Sequence, residues 1–206
     1  MSTAMKDEPA STGRKPRADA ARNRERLLQA AREVFGTGRA EASLEAVARQ
    51  AGVGIGTLYR HFPTREALFE AVYRHEVDQL AALAGTLAKE AGPVEALRQW
   101  LQAQVQLVAT KKGMLAALAL AAHAPADLYA YSFERLTAAI GTLLNRAVEA
   151  GELRSDVSAE EILRALIGMC YLHDKPGWQA TVVRLANIFV DGLLVPGVRP
   201  VDSSKA

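Results

Sequence analysis

Residues 44–62, LEAVARQAGVGIGTLYRHF, decide the fold. Gly52 falls where a tight turn between two short helices needs a positive φ, a conformation that strains any residue with a Cβ. This spacing is typical of a helix-turn-helix, in which the second helix is free to enter the major groove of DNA. A generic corner between two helices is the alternative. The small or apolar positions that the two helices must bury against each other are Val47, Ala48, Ala51, Val53 and Leu58.

Helical signals continue upstream and downstream of this stretch. Asp19 is a predicted N-cap, apolar residues then recur at helical spacing over residues 27–35, and two glycines end that helix. Ser43 and Thr64 are predicted caps for helices that begin at the residues after them. We therefore expect four helices between residue 19 and about residue 87.

The remainder predicts further helices and no β-strand. Pro93 suits the first position of a helix, and Ser158 and Glu161 have the spacing of a capping box. The fold is expected to be all-α, with about nine helices in total. The predicted helices of this part span residues 93–111, 114–122, 126–150, 159–172 and 178–195.

The composition excludes several classes of protein. Half of the 206 residues are hydrophobic and 23% are charged, which is unlike a disordered tail or a membrane protein. The longest apolar run, residues 114–122, is about half of the ~20 residues that a membrane-spanning helix needs. Cys170 is the single cysteine, so neither an internal disulfide nor a cysteine-rich zinc module is expected. These features and the lack of a predicted secretory signal indicate a cytoplasmic protein.

Positive charge is concentrated in the first third of the chain. Residues 14–65 hold 11 Lys or Arg and 5 Asp or Glu, a net charge of +6. Such a region is either a solvated surface or one that neutralises phosphates, and charge alone does not decide between them. Arg14, Lys15 and Arg17 lie on a predicted disordered arm that either solubilises the chain or reaches DNA.

The stretch from Arg22 to Val72 resembles the DNA-binding domain of the TetR family of bacterial transcriptional regulators. It contains the segments RLLQAAREVF, SLEAVARQAGVGIGTLYRHF and TREALFEAV. The run from Gly56 to Phe62, followed by residues 65–68, carries most of this resemblance. It implies a three-helix head, a connecting helix and a larger helical ligand-binding and dimerisation domain. The expected divisions are a disordered basic arm at 1–17, a helix-turn-helix domain at 18–64, the connecting helix and C-terminal domain at 65–196, and a disordered tail at 197–206.

The resemblance also implies roles for individual residues. Side chains at the exposed start of the recognition helix come within reach of base edges, and those one turn later and at the start of the fourth helix contact phosphates. Ser43 either caps its helix or contacts the DNA backbone. The candidate DNA-binding residues are Ser43, Ile55, Gly56, Thr57, Tyr59, Arg60, His61, Thr64 and Arg65.

Two positions differ from the family pattern. Gly54 stands where a Ser or Thr commonly caps the recognition helix, although Gly as N-cap costs only a few tenths of a kcal/mol. Ile55 is apolar where a polar side chain is frequent, so it packs against a thymine methyl at best and donates no hydrogen bond to a base. We therefore do not assign this chain the operator sequence of a relative.

The last two predicted helices are apolar over more than one face. Such helices bury a second face in their own core or against another subunit. A two-fold homodimer fits this pattern and is also what the family uses. The candidate interface residues are Ile162, Ala165, Leu166, Met169, Val182, Leu185 and Phe189.

Aromatic and polar residues in the middle of the chain predict a mostly apolar ligand cavity. Simple core packing is the alternative for each of them, and no metal site or cofactor is expected. The candidate lining residues are Trp100, Gln104, Met114, His123, Tyr129, Tyr131, Phe133 and Tyr171.

These patterns predict a dimeric regulator that binds double-stranded DNA at an inverted-repeat operator. We expect a repressor that a small, largely apolar ligand releases, and no association with membranes. A ligand-independent regulator or architectural protein is one alternative. A helical enzyme with a DNA-binding head is another, but the histidines form no recognisable catalytic motif.

Overall fold

The computed structural model describes residues 14–36, 43–118, 126–172 and 175–197. Within these ranges the chain is helical without β-strands, apart from an isolated antiparallel bridge between Leu153 and Leu194. None of the described helices is long and apolar enough to cross a membrane. The helices are α1 (Arg14–Gly36), α2 (Leu44–Gln50), α3 (Ile55–His61), α4 (Arg65–Glu90), α5 (Pro93–Ala117), α6 (Ala126–Glu149), α7 (Ala159–Tyr171) and α8 (Trp178–Asp191).

The first helix begins five residues earlier than its predicted cap. Residues 14–17, predicted as part of a disordered arm, form the first turn of α1. Pro16 is tolerated there because the first turn of a helix needs no hydrogen bond from its backbone nitrogen. Asp19 is therefore not an N-cap, and its carboxylate pairs with Arg22 one turn later. Residues 1–13 of the predicted arm and 198–206 of the predicted tail lie outside the described residues.

The other predicted caps are confirmed. The hydroxyl of Ser43 accepts a hydrogen bond from the Ala46 amide at 3.1 Å, and that of Thr64 accepts one from the Ala67 amide at 3.0 Å. Ser158 and Glu161 form the full capping box at the start of α7. Gly52 adopts a φ of +65°, as the turn between α2 and α3 requires.

The sequence predicted a separate helix at residues 114–122, and this prediction is wrong for residues 114–117. Residues 114–117 are the last turn of α5, which runs unbroken from Pro93 past Gly113. Residues 119–122 lie outside the described part. A single glycine does not break a helix when tertiary contacts support the turn around it.

The helices form a small head that is joined to a larger bundle. Helices α1, α2 and α3 pack together, and α4 extends from the head to pack along α5 and α6. Helix α5 also contacts α1, α7 and α8. Trp100 is fully buried in the bundle, and its indole N–H donates to the Leu80 carbonyl of α4 at 2.9 Å. The connecting helix is thus part of both units.

Candidate DNA-binding surface and ligand cavity

The recognition helix α3 is anchored by one face and exposed on the other. Leu58 is completely buried, and Phe62, which caps the helix, is almost so. Ile55 is 39% exposed and Tyr59 is 46% exposed, which is unusual for large apolar and aromatic side chains. A Cβ at Gly56 would meet no atom within 4 Å. The outer face of α3 is therefore exposed to solvent.

Thr57 and Arg60 are joined on this helix. The Arg60 guanidinium donates to the Thr57 hydroxyl oxygen at 2.9 Å. Because that oxygen serves as the acceptor, the hydroxyl hydrogen of Thr57 is left to donate elsewhere. The contact also holds the Arg60 side chain along the exposed side of α3.

The end of the recognition helix packs against α1. His61 is half-buried, with its ring centroid 6.2 Å from that of Phe62. The guanidinium of Arg24, on α1, lies 5.4 Å from the Phe62 ring centroid. The candidate list did not include Arg24, because nothing in the spacing of α1 indicates which of its arginines faces α3.

Three of the candidate DNA-backbone contacts, Ser43, Thr64 and Arg65, have hydrogen-bond partners within the chain. The hydroxyls of Ser43 and Thr64 accept capping hydrogen bonds, which positions the backbone N–H groups at the starts of α2 and α4. The Arg65 guanidinium donates to the Leu118 carbonyl at the end of α5, at 3.4 Å. Arg65 therefore lies at the junction between the head and the bundle, a role that its sequence position did not predict.

A cavity of about 230 Å³ lies between α4, α5, α6 and α7. Its aromatic walls are Tyr73, Tyr129, Phe133 and Tyr171, and its aliphatic walls are Leu107, Val108, Leu136, Leu163 and Ile167. Its polar lining consists of Gln104, Lys111 and Ser132. Tyr129 and Tyr171 are each half exposed, so the cavity opens to solvent beside them.

Four of the predicted lining residues surround this cavity: Gln104, Tyr129, Phe133 and Tyr171. Trp100 and Met114 are buried in the core and do not line it. The Tyr131 hydroxyl instead donates to the Asp78 carboxylate at 2.6 Å. His123 lies outside the described residues. Tyr73 and Lys111 were missed, although Lys111 is seven residues after Gln104 and hence on the same face of α5.

The polar groups that line the cavity differ in their hydrogen-bond partners and in the effect of burial on their pKa values. Gln104 is 2% exposed, and its side-chain oxygen Oε1 has no hydrogen-bond partner among the described residues. Burial lowers the pKa of Lys111, whose ammonium lies 5.1 Å from the centroid of the Tyr73 ring. Burial also raises the pKa of the Tyr73 hydroxyl. A side-chain hydrogen bond with Ser132 partly opposes this rise.

The outer face of α7 and α8 differs from the predicted interface. Ile162, Leu166 and Val182 are buried in the core of the chain itself, so a partner cannot reach them. They were predicted at an interface because the spacing of apolar residues does not show which face of a helix points into the core and which points outward. The outward residues are the half-buried Ala165, Met169, Leu185 and Phe189, together with Leu172 (82% exposed) and Ile188 (59% exposed).

Two separate regions of the chain match models of known protein families. Residues 27–72 match the model of the bacterial regulatory proteins of the tetR family. Residues 92–195 match the model of the SbtR-like C-terminal domain of transcriptional regulators.

Solved structures match over most of the chain. The TetR transcriptional regulator SCO0520 from Streptomyces coelicolor is 40% identical, with 84% of this chain and 99% of that chain covered and a TM-score of 0.73. A TetR regulatory protein from Mycobacterium vanbaalenii is 33% identical, with 87% and 99% covered and a TM-score of 0.67.

Curated relatives match over a shorter region. The regulator UidR from Escherichia coli strain K12 is 44% identical over 62 residues, which are 30% of this chain and 31% of UidR. The match thus spans about a third of the length of this relative. Taken with the two domain matches and the exposed recognition helix, these similarities show that the chain belongs to the TetR family of DNA-binding bacterial transcriptional regulators.

Proposed function

We propose that this regulator is a repressor that binds an inverted-repeat operator as a homodimer and is released by a small ligand in the α4–α7 cavity. The observation that carries this proposal is the course of α4. The helix begins directly after the recognition helix, and its residue Tyr73, about two turns further on, lines the cavity. A ligand that displaces Tyr73 therefore acts on the helix that positions α3.

Further contacts connect the cavity to the head. Arg65, at the start of α4, donates to the carbonyl of Leu118, the C-cap of α5, and α5 also supplies Gln104 and Lys111 to the cavity. Arg32 of α1 pairs with the buried Glu76 carboxylate of α4 at 3.0 Å. A coupling free energy of ~1–3 kcal/mol between ligand and DNA changes operator affinity by about 5–150-fold.

A dimer supports this function because one recognition helix reads few base pairs. Two copies related by a two-fold axis present two recognition helices to half-sites about one DNA turn, ~34–36 Å, apart. The apolar face formed by Met169, Leu172, Leu185, Ile188 and Phe189 supports an interface through α7 and α8, since a solvent-exposed patch of this kind favours association.

DNA binding is tested by footprinting on the region upstream of the protein's own gene, followed by affinity measurements on the protected fragment. Arg60→Ala should weaken binding by about 10–100-fold, because a good contact contributes ~1–3 kcal/mol. Thr57→Val should also weaken DNA binding, because valine lacks the hydroxyl group that donates a hydrogen bond. The matched control is Arg154→Ala, because Arg154 is exposed in the α6–α7 connection and pairs with Asp156.

The outcomes separate the proposed repressor from its alternatives. Unchanged affinity in Arg60→Ala and Thr57→Val, with both variants folded, would reject the assignment of α3 as the reading helix. Operator binding that no small molecule in a broad screen weakens would instead favour a ligand-independent regulator. Transcription from the protected promoter, measured with and without the protein, gives the sign of regulation.

A further inference from the structure

The polar groups in the cavity favour one chemical class of ligand. Among the described residues that line it, Lys111 is the only charged one, and no lining residue is acidic. No carboxylate of the described residues forms an ion pair with Lys111, and its ammonium rests on the face of Tyr73. A partly buried cation without an ionic partner is costly to desolvate, and an anion that enters the cavity offsets that cost.

A second polar group that lines the cavity is Gln104. The Gln104 oxygen is buried and has no hydrogen-bond partner in the part of the chain that the structure describes, and leaving a buried acceptor unsatisfied is unfavourable. Ser132, the other neutral polar group outside the tyrosines, donates to the Tyr129 carbonyl at 2.9 Å and is already engaged. The ligand should therefore carry a hydroxyl or N–H donor in addition to its negative charge.

The size of the cavity limits the rest of the ligand. A dry protein cavity of about 150 Å³ accommodates benzene, so about 230 Å³ accommodates one substituted ring, roughly ten non-hydrogen atoms. Gln104 and Lys111 are two helical turns apart on α5, a rise of about 10.5 Å between their backbones. The near-parallel rings of Tyr129 and Phe133, with centroids 5.8 Å apart, supply aromatic lining for such a ring.

We propose that the α4–α7 cavity binds a small hydroxylated monocarboxylate with a ring-sized apolar body, whose carboxylate pairs with Lys111 and whose hydroxyl donates to Gln104. This inference rests on the ligand-binding role given to the cavity in the proposed function. It adds the charge and the donor that the ligand must carry.

The test is isothermal titration calorimetry of the full chain at pH 7 with three matched probes. They are 4-hydroxybenzoate, the neutral 4-hydroxybenzamide and benzoate, which lacks the hydroxyl. We expect 4-hydroxybenzoate to bind at least tenfold more tightly than either of the other two. Lys111→Met should abolish the preference over the amide, and Gln104→Leu should abolish the preference over benzoate.

Lys89→Met is the control, because it removes the same charge from an exposed position of α4 and should keep both preferences. Each preference is a ratio within one variant, so a modest loss of stability does not obscure it. The proposal is overturned if the amide binds as tightly as the acid, if either preference survives its variant, or if no probe binds at millimolar concentration. Operator binding is measured on the same preparations, and its persistence in those cases would leave the DNA-binding function intact.

Discussion

Gly113 in α5 lies directly against the carbonyl group of Phe35 in α1. A Cβ at Gly113 would overlap the Phe35 oxygen and stand 3.2 Å from the Phe35 carbonyl carbon. Only glycine permits this approach of a helix to backbone atoms, which cannot swing aside as a side chain can. The contact fixes the head on the same helix that supplies Gln104 and Lys111 to the cavity, within one turn of Lys111.

Gly113→Ala should therefore separate α1 from α5. We expect a loss of about 1–3 kcal/mol in the free energy of unfolding, the usual cost of overpacking, despite the higher helix propensity of alanine. Urea unfolding followed by circular dichroism measures this loss. If the head shifts as α1 moves, operator affinity also falls.

Gly85→Ala is the matched control for this substitution. Gly85 is an exposed glycine within α4, and a Cβ there would meet no atom within 4 Å. Alanine should stabilise that helix by about 0.5–1 kcal/mol. Equal effects of the two substitutions would show that the close approach of Gly113 to Phe35 is not a constraint.

The sequence predicted local features well, because their causes lie within a few residues. The caps at Ser43, Thr64 and Ser158 and the positive φ of Gly52 each follow from the chain's own neighbours. The helix-turn-helix is local in the same sense. A short stretch of sequence therefore defined both the fold of the head and the exposed face of α3.

Features that depend on distant packing were predicted less well. Tyr73 lines the cavity only because α4 packs against α5 and α6, and Arg65 contacts Leu118, 53 residues away. Ile162 was expected at an interface but fills the core, since a helix that is apolar on two sides does not reveal which side faces inward. These assignments require the tertiary arrangement of the helices.

The side-chain caps of α4 and α7 allow the effect of lost stability on DNA binding to be separated from the effect of the position of the cap. Thr64→Ala and Ser158→Ala each remove a side-chain cap, so each should lower the free energy of unfolding by about 1 kcal/mol. Thermal unfolding measures this loss. Operator affinity should fall in Thr64→Ala alone, because Ser158 begins a helix of the C-terminal bundle. A loss of affinity in both variants would mean that stability, and not the position of the cap, governs DNA binding.

The single cysteine is expected to be unreactive in the folded protein. Cys170 has no solvent exposure, and burial raises the pKa of its thiol to about 11. Roughly one thiol in 3,000 is then ionised at pH 7.5, and the thiolate is the reactive form. Iodoacetamide should modify Cys170 at least about 100-fold more slowly in the native protein than in 6 M guanidinium chloride. Mass spectrometry of samples taken over time measures both rates. Comparable rates in both conditions would instead make Cys170 a candidate redox sensor.

The outer face of α7 and α8 predicts the oligomeric state. Ile188→Lys places a charge on the exposed apolar face of α8, where an ammonium that dimerisation buries without a partner is strongly unfavourable. Light scattering coupled to size exclusion should show a dimer for the original chain and a monomer for this variant, with reduced operator affinity. Thr142→Lys, at an exposed position of α6, should remain dimeric. A dimer that tolerates Ile188→Lys would place the interface elsewhere.

Lys111 should lower the stability of the ligand-free protein at neutral pH. Burial lowers its pKa in the folded state below the ordinary value of 10.5, so the folded chain is penalised for the charge that the unfolded chain carries without cost. Lys111→Met should therefore raise the free energy of unfolding at pH 7, and with it the Tm.

The sign of the pH dependence follows from the same shift. Between the folded and the unfolded pKa of Lys111, the unfolded chain binds the proton and the folded chain releases it, so the contribution of Lys111 to stability rises with pH. The advantage of Lys111→Met should accordingly shrink as the pH approaches 10.5. Tyr73, which faces Lys111, has a raised pKa and stays largely neutral over most of this range. Urea unfolding at pH 7 and at pH 10 measures the difference in the free energy of unfolding between Lys111→Met and the original chain at each pH. For Lys89→Met, at an exposed site, this difference should not change with pH. An advantage that grows with pH would contradict a burial penalty on the Lys111 charge.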